Sequence, residues 1–77
     1  MEEQRIRAIA RVVEEGFEQH RSDPHAFADH LQGRGVALVE VVEALEDVDR
    51  VDGDESEGLK SLLRVALDLL RATDRVR

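Results

Sequence analysis

The chain has 77 residues, of which 42% are hydrophobic, 38% charged and 3% aromatic, with a formal net charge of −7. A chain of this length makes one domain with one small core. It contains no cysteine, which excludes disulfides, thiol catalysis and cysteine-ligated zinc, and its negative charge argues against a general nucleic-acid or anionic-membrane binder.

The first predicted helix covers residues 3–20. Ile6, Ala10, Val13, Phe17 and His20 recur at steps of four and three, with Ile9 beside them, which is one face of a helix. Gly16 interrupts this face either as a weak spot or as a place of close packing. Ser22-Asp23-Pro24 punctuates the chain. Asp23 suits an N-cap and Pro24 the first helical position, so a short helix over 24–32 follows, burying Phe27 and Leu31. Gly33 or Gly35 ends it, because glycine accepts the left-handed conformation of a helix C-terminus.

Residues 36–50 are rich in valine, which favours strand, but phase favours helix. Leu38, Val41, Val42, Leu45 and Val48 fall within an arc of roughly 120°, with Glu40, Glu43 and Asp47 opposite. A turn follows at Val51-Asp52-Gly53-Asp54, where Asp54 and Glu57 have the spacing of a capping box. The last helix spans 55–75, with Arg71 and Arg75 favourable at its C-terminus. The expectation is an all-α fold: a single domain, 1–77, of three longer helices and one short connecting helix.

Charge is distributed unevenly. Residues 40–58 carry nine anions against the single cation Arg50, whereas residues 59–77 carry five cations and two anions. The acidic face of Glu40, Glu43, Asp47, Asp52 and Asp54 is a candidate surface for partner selection.

Motifs for chemistry are scarce. His25 and Asp29, four apart, have the spacing at which two ligands share a metal, and His20 approaches across the turn, but no HExxH-like pattern exists. The acids from Asp47 to Glu57 suggest a calcium loop, yet neither register fits. A loop starting at Asp47 places Val51 at the fifth position and Gly58 at the twelfth. One starting at Asp52 places Glu57 at the sixth and Leu63 at the twelfth. Phe27 to Leu45 has the outline of a helix-turn-helix, but its second helix carries Glu40, Glu43, Glu46 and Asp47 and would be repelled by phosphate. No nucleophile motif or phosphate loop is present, so no catalytic residue, cofactor or metal ligand is assigned, and the chain is read as no enzyme.

The last helix is the informative element. Leu59, Leu62, Leu63, Val65, Ala66, Leu67, Leu69, Leu70, Thr73 and Val76 spread over an arc of roughly 200°, while one side of a small bundle needs little more than about 100°. Either this helix is central or it offers surplus apolar surface to another chain. One flank, Leu63, Leu67 and Leu70, suits the intramolecular core. The other, Leu62, Val65, Leu69, Thr73 and Val76, is the candidate partner interface. These features are those of a non-catalytic, acidic interaction module, a homodimeric adaptor or regulatory subunit. Its partner would be a second copy or another protein, not nucleic acid directly and not a membrane. An acidic inhibitor that imitates DNA is the second reading, and a weak divalent-metal binder the third. No apolar run approaches the roughly 20 residues of a membrane span. The acidic start Met1-Glu2-Glu3 is unlike a signal peptide, so a soluble cytoplasmic protein is expected.

Overall fold

The computed structural model describes residues 1–51 and 55–75, and in the last helix the side chains of residues 56–73. Among the described residues four helices pack together: α1 (Glu3–Gln19), α2 (Pro24–Gly33), α3 (Leu38–Asp47) and α4 (Glu55–Arg75), with a 3₁₀ turn at Val48–Arg50. There is no strand among the described residues. The fold is all-α, as the periodicity predicts. The valine-rich α3 is a helix that buries one face: Val41 and Ala44 are fully buried, and Val42 and Leu45 pack beside them, while Val39 lies outside that face.

Local signals set the α1–α2–α3 turns. The Asp23 side chain accepts hydrogen bonds from the backbone N–H groups of His25 and Ala26, both at 3.1 Å, and Pro24 opens α2. This satisfies two of the donors that a helix start leaves unpaired. At the other end, Gly35 takes φ +76°. The Val36 N–H donates to Leu31 O at 2.9 Å, and the Gly35 N–H to Gln32 O at 3.0 Å. These are the two bonds of a Schellman motif, and its usual hydrophobic partners, here Leu31 and Val36, are both buried. Gly35, not Gly33, is therefore the stop.

The Schellman bond also corrects the start of the third helix. Val36 is occupied as a cap, so α3 begins at Leu38 rather than at 36. Leu38, expected on the buried arc, is 37% exposed because it is the first residue of the helix and lies at its open end. The Glu40 side chain reaches back to the Ala37 N–H at 3.3 Å, a single-sided version of the capping box. The expected box at Asp54 and Glu57 lies partly outside the described residues.

The core gathers Ile6, Ile9 and Val13 of α1, Phe27 and Leu31 of α2, Val41 and Ala44 of α3, and Leu63, Ala66 and Leu67 of α4. Gly16 is the point of closest approach between α1 and α2. A Cβ there would lie 2.8 Å from Phe27 Cδ1, and the Phe27 ring stacks on Phe17 at 4.8 Å between centroids, 4° from parallel. The glycine is a packing device. Helix α4, 21 residues and so about 30 Å long, lies against α1, α2, α3 and the 3₁₀ turn.

Candidate interaction surface

The central position of α4 accounts for most of its wide apolar arc. Leu63, Ala66 and Leu67 are buried, and Leu59 and Leu70 pack on the core as half-buried neighbours. Of the five predicted interface residues, Val65 is 49% exposed, and Leu62, Leu69 and Thr73 are half-buried. Val76 lies outside the described residues. The surplus flank is thus narrower than the sequence implies, since Leu62 and Leu69 already lend part of their surface to the core.

What remains is a strip with a definite spacing. Gly58 and Ala72 are exposed and extend it, so that Gly58, Leu62, Val65, Leu69 and Ala72 follow steps of four, three, four and three. That is the seam spacing with which one helix packs against another. Gly58 and Ala72 escape a reading that counts only large apolar residues; continuing the step pattern finds them. Small residues at both ends and large ones in the middle let a facing helix approach closely at the ends. The Thr73 hydroxyl donates to Leu70 O at 2.8 Å, so it is satisfied within its own helix and needs no partner at an interface.

Beside this strip lies an open groove of about 550 Å³, with His25, Asp29 and Gln32 of α2 on one wall and Leu70 and Thr73 of α4 on the other. Leu38 stands at its edge. Val39, at 60%, is the most exposed large apolar side chain among the described residues, and Val65 follows it.

The acidic face is partly consumed inside the chain. Glu40 binds Arg5 of α1, and Asp47 binds the amino group of Met1. Arg5 also reaches Gly35 O at 3.4 Å, tying α1 to the α2–α3 turn. The Arg5 hydrogen bond, seconded by the Ala37 N–H, holds the Glu40 carboxyl below the usual carboxylate range. The hydrogen bond from the terminal amine does the same for Asp47. Glu43 is exposed; Asp52 and Asp54 lie outside the described residues. The basic side of α4 meets the acidic segment within the monomer through Lys60 and Asp49, 3.0 Å apart. Two of the five predicted acidic residues are therefore engaged within the chain, Glu40 holding α1 onto α3 and Asp47 holding the residue at the head of the chain.

The metal spacing predicted for His25 and Asp29 puts both side chains on the groove wall. The structure brings a different pair of histidines together: the His20 and His30 rings lie 5.5 Å apart. Among the described residues no group of three metal-ligating side chains assembles, and no helix is long and apolar enough to cross a membrane. Compared with protein-family models, curated proteins and solved structures, the chain finds no match in any of the three.

Proposed function

We propose that the protein is a small non-catalytic interaction module that self-associates through the outer strip of α4 and acts as a homodimeric adaptor or regulatory subunit. The single observation that carries this reading is the strip itself. After α4 has packed against every other helix, Val65 still stands half in water, flanked by Leu62 and Leu69 at seam spacing. A second copy supplies an identical strip, and two-fold symmetry repeats every contact. The exposed Asp68 borders the strip, with Arg64 and Arg71 further round α4, and such charges set register rather than affinity, since exposed pairs contribute only about 0–1 kcal/mol.

Val65→Glu is the cleanest test. The side chain is already half-exposed, so the variant keeps the helical circular dichroism of the wild type while a carboxylate at the seam blocks pairing. Size-exclusion chromatography at matched concentration should shift the variant to later elution than the wild type. Identical elution of the two folded proteins refutes the assignment of the interface to this strip. Leu69→Glu is the less discriminating change, because Leu69 also packs on the core.

A further inference from the structure

His20 closes α1 and His30 lies in the last turn of α2. Their ring centroids are 5.5 Å apart and their planes tilted by 58°. The His30 ring sits against Gly16: its Cδ2 would be 3.2 Å from a Cβ at that position. The neighbouring ring atom, Nε2, is enclosed and has no hydrogen-bond partner. A buried polar nitrogen left without a partner is costly, and native structures contain few of them. His20 is one turn beyond Gly16 on the same side of α1. Arg34, one turn beyond His30, is engaged by Glu15 at 3.8 Å.

Two imidazoles on one tetrahedral ion, with Zn–N about 2.0–2.1 Å, place their ring centres about 5 Å apart. We propose that His20 and His30 form a two-imidazole site for a divalent transition-metal ion of the zinc type, linking the end of α1 to the end of α2. Neutral imidazole is a natural ligand for such ions. Each ring is only half-buried, so a turn of the His30 ring opens the enclosed Nε2 to the incoming ion, and water completes its coordination. This site lies within one chain, and it does not depend on dimer formation.

The test is titration of the full chain, first freed of metal with a chelator, with Zn(II) alone. The melting temperature is followed by circular dichroism, and the side-chain nitrogens of the three histidines by NMR. The expected result is a rise in melting temperature that saturates near one equivalent, with the nitrogens of His20 and His30 shifting and those of His25 unmoved. His20→Ala should abolish the rise and His25→Ala should retain it. If His20→Ala does not fold, His20→Asn serves in its place. The monomeric Val65→Glu variant should bind like the wild type, which separates this proposal from the dimer. An equal rise in the His20 variant, shifts led by His25, or no shift at millimolar Zn(II) would overturn it.

Discussion

Gly16→Ala is a substitution for which local and tertiary physics give opposite signs. In an isolated helix, replacing an interior glycine by alanine stabilises by up to about 1 kcal/mol. Here the new methyl would lie 2.8 Å from Phe27 Cδ1 and 2.9 Å from Cε1. Carbon contacts relax at about 3.5–4.0 Å, so the ring must retreat by roughly 1 Å. It has little room, being fully buried and stacked on Phe17. Overpacking of this kind costs about 1–3 kcal/mol. The net expectation is a loss of about 0–3 kcal/mol, read as a lower urea midpoint with unchanged slope. Gly33→Ala is the control, because nothing lies within 4 Å of a Cβ there; it should be neutral or stabilising by up to about 1 kcal/mol. A double variant, Gly16→Ala with Phe27→Leu, should be less unstable than the sum of its parts, since the smaller side chain relieves the clash. A rise in midpoint for Gly16→Ala alone would show that the Phe27 ring moves freely, and the close α1–α2 contact would be wrong.

Other consequences follow from the turns and the ion pairs. Asp23→Ala removes an acceptor shared by two backbone N–H groups and should cost about 0.5–2 kcal/mol in chemical denaturation. Gly35→Ala forces a side chain into φ +76° and should cost about 1–2 kcal/mol, whereas the same change at Gly33 should not. Glu40 titrates below the ordinary carboxylate range when folded, so its pair with Arg5 contributes stability above that range and loses it as pH falls through the lowered folded value. Glu40→Gln should therefore melt lower than the wild type near neutral pH, by at most about 1 kcal/mol for a pair so exposed. The difference should close in strong acid, as thermal melts across pH will show.

The elements with strong period and punctuation were readable from the chain alone. Asp23-Pro24 marks a helix start by chemistry that acts over two or three residues, and the structure uses it so. The choice between Gly33 and Gly35 was not readable, because it depends on which residue turns left-handed, and that is settled by burying Val36 against Leu31. The same burial displaced the start of α3. The surplus flank of α4 was visible as an arc, but its true width depends on how far Leu62 and Leu69 lean on their neighbours. The acidic run was plain in composition; that Glu40 and Asp47 are engaged by Arg5 and the chain's own amino group was hidden, because those partners are distant in sequence. Helical spacing drew attention to His25 and Asp29, whereas the pairing of His20 with His30 exists only because Gly16 lets α1 and α2 come close.

Self-association through α4 is tested most directly by the mass of the native chain in solution. Sedimentation equilibrium, extended from about 1 µM to about 100 µM to cover the affinity expected of a modest seam, should give twice the chain mass of 8.7 kDa at the upper concentrations. A mass of 8.7 kDa throughout that range contradicts a dimer and leaves α4 as the centre of a monomeric bundle.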